Sequence, residues 1–564
     1  MSTPTSPAEH GEYSHKQILT ILSGLMIGMF LGALDQTIVS TSIRTIADDL
    51  DGLSIQAWVT TAYLITSTIA TPIYGKLGDL YGRKNLFLFA ITVFIIGSAA
   101  CSFATSMYML AAFRAFQGLG AGGLFTLALA IVGDIVSPRE RARYTGYFMA
   151  VFGTSSVAGP VIGGFFANST SILGIAGWRW VFLVNVPIGI AGLFVVSRTL
   201  HLHSTRRAAR IDWWGAAALV VALIPLLTVA EQGRDWGWAS GRSLACFVIG
   251  VAGVVGFVLA EWRMGDNALI PLRIFRIRAA AVTIVASVIV GMAMFGGITV
   301  LPLYMQIVHG ATPMKAGLMM LPMVVGMMSA SIFAGQVTSR TGKIRIFPII
   351  GSAFATVALL LLSQIGADTH LVLVMAAMFM FGLGLGQCMQ PLTIIVQNAV
   401  PPSEIGVATS SATFFRQLGG TLGVAAFLSI LFSTVGDNIK TAFSSASRTP
   451  AFNQALHDPT LLSNPTNAQV AQGLKHPSST GGIFDSVQNN SSVINKMADV
   501  FAHPFKVGFA QSMDSVFLIA GCISVLAVAV LLLMPKVELR ATSASAAARA
   551  QAQGVEPPPV DVGL

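Results

Sequence analysis

Residues 56–105 read QAWVTTAYLITSTIATPIYGKLGDLYGRKNLFLFAITVFIIGSAACSFAT. Two apolar runs, expected as helices near Gln56–Tyr74 and Leu86–Thr105, flank a turn, Gly75-Lys-Leu-Gly78-Asp79-Leu-Tyr-Gly82-Arg83-Lys84. A helix needs about 20 apolar residues to cross the hydrocarbon core of a bilayer, and each run reaches about that length. The turn collects glycines, which permit a tight bend without steric penalty. It also holds one acid and a basic cluster, suited to clamping neighbouring helix ends at a membrane surface. The stretch reads as a helical hairpin through a membrane.

The same unit recurs in both directions. Further spans are expected near Ile18–Ser42, Met107–Gly133, Tyr144–Ala167 and Val181–Ser197, then Trp213–Val229 and Ser243–Ala260. The remainder are expected near Ala279–Val308, Lys315–Val337, Ile346–Gln364, His370–Gln397, Val407–Thr434 and Asp514–Met534, fourteen in all. Mean hydropathy is +0.73 and only 10% of residues are charged. The expected fold class is therefore all-α and polytopic, with no room for a soluble enzyme core.

Charge orients the chain. Lys and Arg accumulate in short cytoplasmic loops. With an inside N-terminus, Lys76, Arg83, Lys84, the arginines of 139–143, 198–210 and 263–278, and Arg340, Lys343 and Arg345 all fall inside. That is seventeen cations, against five in the outside loops. Both termini are expected in the cytoplasm, and the net charge of +9 marks orientation rather than a nucleic-acid patch. Residues 1–17 lack a basic n-region and a cleavage site, so no removable signal peptide is expected. Cys101, Cys246, Cys388 and Cys522 lie in spans without paired spacing, which points to neither metal nor disulfide. Residues 434–512, rich in Ser, Asn, Pro and Gln, are expected as a long extracytoplasmic loop. Ile494, Met497 and Phe501 there fall at the spacing of a surface helix. The tail 536–564 is expected to be disordered.

The chain partly repeats itself. Gly118-Leu-Gly120, Asp134, Pro138 and Glu140 return 264 residues later as Gly382-Leu-Gly384, Asn398, Pro402 and Glu404. Gly75…Tyr81-Gly82-Arg83 has an echo in Gly335…Thr341-Gly342-Lys343, with Ser339 where Asp79 would stand. Both echoes land eight spans on. The simplest organisation is 6+2+6: bundles at 18–200 and 279–535, and two inserted helices within 201–278. Parallel halves of this kind are a transporter architecture, with the binding site near the midplane between them.

The loop at 75–84 resembles the signature loop of the major facilitator superfamily. Arg114-Ala-Phe-Gln117-Gly118-Leu-Gly120 is similar to the fourth-helix motif of its proton-driven members. Gly153 through Val157-Ala-Gly159-Pro160-Val-Ile-Gly163-Gly164 is similar to the fifth-helix antiporter motif. Leu34-Asp35-Gln-Thr37-Ile38-Val39 and Trp178-Arg-Trp-Val-Phe-Leu-Val-Asn185-Val-Pro187 resemble the fourteen-helix drug:proton antiporters of the EmrB/QacA type. The resemblance implies that Arg83 pairs with Asp134 and that Asp79 faces the inner end of the thirteenth span near Gly406. Gly75, Gly78, Asp79, Gly82, Arg83, Lys84 and Asp134 are then the cytoplasmic gate. Gly159 and Pro160 read equally as a kink or close helix contact and as part of a gate.

Intramembrane charge is the costly feature. Asp35, Arg114 and Arg416 lie within spans, each at about 2.5–3.5 kcal/mol on insertion scales. At 1.5 Å per residue Asp35 lies about 12 Å below the outer end of its expected helix and Arg114 about 10 Å below its own. Their depths match, which makes Asp35 the candidate proton carrier, tuned by Arg114. Arg416 reads as a substrate contact, a gate partner or a snorkelling charge. Thirteen of the 23 methionines lie between 292 and 389. Met319, Met323 and Met327 recur every four residues, either as core filler or as a pliable wall for unrelated apolar ligands. With Gln117, Gln306 and Arg416 they are the substrate-cavity candidates.

The expected function is proton-coupled export of hydrophobic or amphipathic small molecules, with multidrug efflux first and a dedicated lipid or metabolite exporter second. No constellation for a channel filter or a membrane enzyme is visible, and no cofactor or nucleic acid is implied. An adaptor protein enters only where an outer membrane encloses the cell. Because Asp35 is the one acid well within a span, neutral or monocationic substrates are expected to outperform dications.

Overall fold

A computed structural model describes residues 14–50, 56–200, 212–475 and 491–539. The sequence readings for 1–13, for Arg206, Arg207 and Arg210, for 476–490 and for the tail from 540 lie outside the described residues. The long helices are α1 (His15–Asp49), α2 (Gln56–Tyr81), α3 (Arg83–Ser102), α4 (Met107–Ile135), α5 (Pro138–Asn168), α6 (Asn185–Thr199), α7 (Trp213–Trp236) and α8 (Gly241–Met264). They continue as α9 (Arg278–Ile307), α10 (Leu321–Thr341), α11 (Ile346–Leu362), α12 (Leu371–Ala399), α13 (Ile405–Ala446) and α14 (Asp499–Leu532). Among the described residues the one sheet is a two-stranded hairpin, Ser171–Ile172 with Ile175–Ala176, its turn made by Leu173 and Gly174 at positive φ.

Among the described residues, twelve segments are long and apolar enough to cross a membrane. α2 and α11 are not among them. α11 has only 17 residues. α2 carries a hydroxyl face, with Thr61, Ser67, Thr68 and Thr71 all buried. Two of those hydroxyls bond within their own helix: Ser67 donates to the Leu64 carbonyl at 3.0 Å and Thr71 to the Ser67 carbonyl at 2.9 Å. Helix starts are written locally. Ser14 and Gln17 form a capping box on α1, and Ser137 with Pro138 opens α5. Pro322 in the first turn of α10 lacks an N–H, so the preceding turn Pro313–Met319 is set off from α10 by a break at Met320.

Packing repeats eight helices on. α4 lies against α2, α3 and α1, and α12 lies in the same way against α10, α11 and α9. α1 packs on α5 and α6 as α9 packs on α13 and α14. The two sets meet through α2 on α13 and α5 on α10, contacts that exchange under the same eight-helix shift. α7 and α8 pack on each other, and α7 reaches both α2 and α13. α8 turns Val248, Val251, Val255 and Leu259 outward, as a lipid-facing helix does.

The segment 434–512, expected as a loop, is largely helical where it is described. α13 runs on to Ala446 and α14 begins at Asp499, with short helices Pro450–Ala455, Pro459–Leu462 and Pro465–Lys475 between them. Phe443 meets Phe505 edge-on at 4.9 Å and Phe452 at 6.0 Å, and Phe452 meets Phe501 at 5.6 Å. Ile494 and Met497 are buried in the same cluster rather than forming a surface helix. Aromatic burial of this kind outweighs the polar composition around it. Phe505→Ala should therefore lower the stability of this hairpin by about 3–5 kcal/mol. Limited proteolysis should show faster cleavage within 447–475 than in the parent chain.

Candidate functional site

Glycines decide how closely α4 approaches its neighbours. A Cβ on Gly118 would lie 2.5 Å from the Tyr63 carbonyl of α2, and one on Gly120 would lie 2.6 Å from the Ala90 carbonyl of α3. On α3, a Cβ on Gly97 would strike the backbone of Gln117 at 2.7 Å. With those side chains absent, α4 is clamped between α2 and α3, and Arg114 and Gln117 are carried to Asp35.

Asp35 is fully buried and takes three donors from two other helices. Arg114 Nη1 donates to Oδ2 at 2.5 Å, Gln117 Nε2 to Oδ1 at 2.9 Å and Asn185 Nδ2 to Oδ1 at 2.8 Å. Arg114 also donates to Gln117 Oε1 at 2.7 Å and to the Val59 carbonyl at 3.3 Å, and it lies 4.0 Å over the Tyr63 ring. Asn185 is steadied by Ser98 at 3.0 Å. Gln117, expected in a substrate cavity, thus belongs to the Asp35 cluster. Asn185, Ser98 and Tyr63 were not singled out from the sequence. Asn185 stood in a quoted motif, but a neutral amide in an apolar run gives no charge signal. Asp35 lies deeper than expected, about 21 Å from the end of α1, because that helix continues to Asp49.

The antiporter-motif glycines divide by face. Gly159 and Gly163 press on Thr37 and Ile38 of α1, and Ser42 donates to the Gly163 carbonyl at 3.1 Å. Pro160 abuts Gly317 ahead of α10, while Gly164 meets nothing within 4 Å.

A second cluster closes the basic end of the bundle. Asp79 accepts the backbone N–H groups of Gly406 at 3.1 Å and Val407 at 2.9 Å, at the N-terminus of α13. A carboxylate there gains from the helix dipole. Arg83 lies between two carboxylates, 2.7 Å from Asp79 and 2.7 Å from Asp134. Gly82, at φ 91°, makes the bend that brings Arg83 back. Gly75 lets α2 lie on Ser410, Gly78 faces Leu127, and Lys84 donates to the Ser197 carbonyl at 3.0 Å. Arg141 bonds Gln397 of α12, and Gln397 donates to Thr409 at 2.6 Å. Arg139 donates to the Ser339 and Arg340 carbonyls at 2.8 and 2.7 Å, so the acid-free echo loop is engaged with opposite polarity.

The linker after α8 joins this cluster. Glu261, fully buried, accepts the N–H groups of Leu269 at 3.2 Å and Ile270 at 2.8 Å. Lys76 donates to the Asp266 carbonyl at 2.9 Å, and Arg273 pairs with Asp266 at 3.2 Å and with Glu404. Arg141, Gln397, Glu261 and Arg273 also went unnoticed as site residues. In the sequence their basic members read only as topological charge.

The remaining cavity candidates disperse. Gln306 is half-buried near the end of α9. Met323 and Met327 lie where α10 crosses Gly382 and Gly386 of α12, and Met319 ends the turn that precedes α10. All three methionines are buried in the apolar core. Arg416 is buried on α13, its Nη1 directed at the Met389 carbonyl and Thr393 Oγ1.

A helical membrane protein with paired halves, a mid-helix carboxylate and this clamp is a transporter of the Major Facilitator Superfamily, and the chain belongs to that family. The family model matches residues 25–424. The chain is 34% identical over 431 residues to multidrug transporter protein MdtP of Bacillus subtilis (strain 168), covering 76% of this chain and 78% of that one. Multidrug resistance protein 3 of the same organism is 31% identical over 520 residues, 92% of this chain and 95% of that one. Among solved structures, the proton:xylose symporter XylE bound to 6-bromo-6-deoxy-D-glucose aligns with a TM-score of 0.56. The match covers 94% of this chain and 98% of that one at 14% identity, a likeness of fold alone.

The glycine faces give a paired test. Gly159→Ala places a Cβ 2.1 Å from Thr37 Oγ1 and should cost about 1–3 kcal/mol through overpacking. Gly164→Ala should stay within about 0.5 kcal/mol of the parent. Thermal unfolding of the purified proteins in one detergent compares them.

Proposed function

We propose that the chain is a proton-coupled antiporter that exports hydrophobic or amphipathic small molecules. On this reading it has fourteen spans in a 6+2+6 arrangement, with bundles at 18–200 and 279–535 around two inserted helices. It lies in the cell membrane with both termini cytoplasmic, so the basic end is the inner end. The relatives' names support small-molecule efflux. The observation that carries the coupling is the enclosed Asp35 carboxylate with its three donors.

An ionised Asp35 offers only acceptors, which suits Arg114, Gln117 and Asn185. A proton turns one of those oxygens into a donor facing an N–H group. Arg114 is then left buried beside a neutral acid, a state that strongly favours rearrangement. Because the donors sit on α4 and α6 while Asp35 sits on α1, protonation is felt as a shift between helices. At the inner end, Asp79, Arg83 and Asp134 hold α2–α4 to α13, and substrate entry from the cytoplasm requires that clamp to open. One proton moving down 100 mV supplies about 2.3 kcal/mol, enough for roughly fifty-fold accumulation. The cycle calls for no cofactor.

Asp35→Asn keeps shape and removes titration. In proteoliposomes carrying an imposed pH gradient, export by this variant should fall to background while the protein stays folded and inserted. Retained gradient-driven export would remove Asp35 from the mechanism. A growth-inhibition panel of diverse compounds, with and without the gene, tests the substrate class.

Asp79→Asn should slow turnover by about five- to thirtyfold, the rate equivalent of about 1–2 kcal/mol at a helix N-terminus. Substrate binding in detergent should change little, since Asp79 lies at the clamp. Collapse of binding with intact turnover would contradict the gating role.

A further inference from the structure

Buried charge is unevenly shared between the two halves. Asp35 is enclosed by groups from α1, α2, α3, α4 and α6, and Arg114 neutralises it. Arg83 lies between Asp79 and Asp134. Arg416 has no such partner among the described residues. Its Nη1 makes two contacts, to the Met389 carbonyl at 3.4 Å and to Thr393 Oγ1 at 3.3 Å. Both acceptors are neutral, and both distances exceed the usual N–H···O range. Nε and Nη2 make no hydrogen bond among the described residues, although the side chain is only 8% exposed.

Among the described residues, no acid pairs with Arg416 or lies close enough to act on its charge. α9 and α12 contain neither Asp nor Glu. Along α13 the flanking acids are Glu404 and Asp437, about 18 and 31 Å away. A buried guanidinium without a counter-charge is expensive, and charges held within a membrane span characteristically mark substrate or ion pathways.

The position suits such a partner. Arg416 lies about 16 Å along α13 from its basic end, near the middle of a bilayer core. It also adjoins the seam between the halves: Thr71 of α2 donates to the neighbouring Gln417 at 3.2 Å. One turn back on the same face, Thr413 Oγ1 is buried without a hydrogen-bond partner. A free guanidinium edge beside a free hydroxyl is an arrangement for an oxyanion.

We propose that Arg416, assisted by Thr413, recognises a single acidic group on the exported amphiphile, so that organic anions are favoured substrates. This rests on the export reading above and names its substrate class. It departs from the expectation that neutral or monocationic amphiphiles outperform dications, in which a monocation would compete with the proton for Asp35. That carboxylate is sealed among side chains of its own half, and the charge left at the seam is positive.

The test uses the full-length protein and three fluorescent amphiphiles on one scaffold, ending in a carboxylate, its methyl ester or a primary amine. Binding is measured in detergent and export in proteoliposomes. The parent protein should bind and export the carboxylate at least about tenfold better than the amine. Arg416→Gln should lower the carboxylate-to-ester ratio by about tenfold or more, and Arg416→Lys should recover part of it. Thr413→Val should lower the ratio by a smaller factor. A parent preference for the amine overturns the proposal without needing any variant to fold. So does an Arg416→Gln protein in which both carboxylate and ester fall together, since that marks a packing role. Export of ester and amine without carboxylate defeats the Arg416 assignment alone. Export of nothing, in vesicles or in the growth panel, defeats the export reading itself.

Discussion

A carboxylate in hydrocarbon must be matched donor for donor, and Asp35 is matched from α4 and α6 at once. That requirement fixes how α1, α4 and α6 converge. The convergence depends in turn on residues that carry no chemistry. Gly97, Gly118 and Gly120 remove the side chains that would hold α4 away from α2 and α3. Small residues are the usual means of close helix approach where lipid offers no hydrophobic drive to association. The site and the packing are one constraint seen from two sides.

The basic-end clamp answers a different demand. Asp79 satisfies backbone N–H groups that α13 leaves open at its start, and Arg83 and Asp134 complete the charge balance. Around it, the linker after α8 touches Lys76 of one half and Glu404 of the other through Asp266 and Arg273. Leu269 and Ile270 of that linker are buried with residues of α2, α7 and α13. α7 and the linker after α8 are thus fastened to both α2 and the start of α13.

Much of this was legible in the residues. Apolar run lengths and alternating basic loops marked the helices, and the 264-residue echo foretold packing that repeats eight helices on. Family resemblance implied the Arg83–Asp134 pair and the Asp79–Gly406 contact. What stayed hidden was of two kinds. Neutral partners such as Asn185 and Gln397 carry no charge signal, and Gln397 meets Arg141 across 256 residues of sequence. In the second kind, composition misled: Ser, Asn, Pro and Gln masked the aromatic set of Phe443, Phe452 and Phe505 that Phe501 joins. The methionine periodicity at 319–327 was real, yet Pro322 interrupts the helix that was to display it.

α13 runs unbroken for 42 residues, about 63 Å, or twice the thickness of the hydrocarbon core. One end is pinned by Asp79 and the other emerges into the phenylalanine cluster with α14. Such a rod is a mechanical amplifier. A tilt of about five degrees about Gly406 would displace its far tip by about 5 Å, so a small change at the Asp79 end reaches the phenylalanine cluster enlarged.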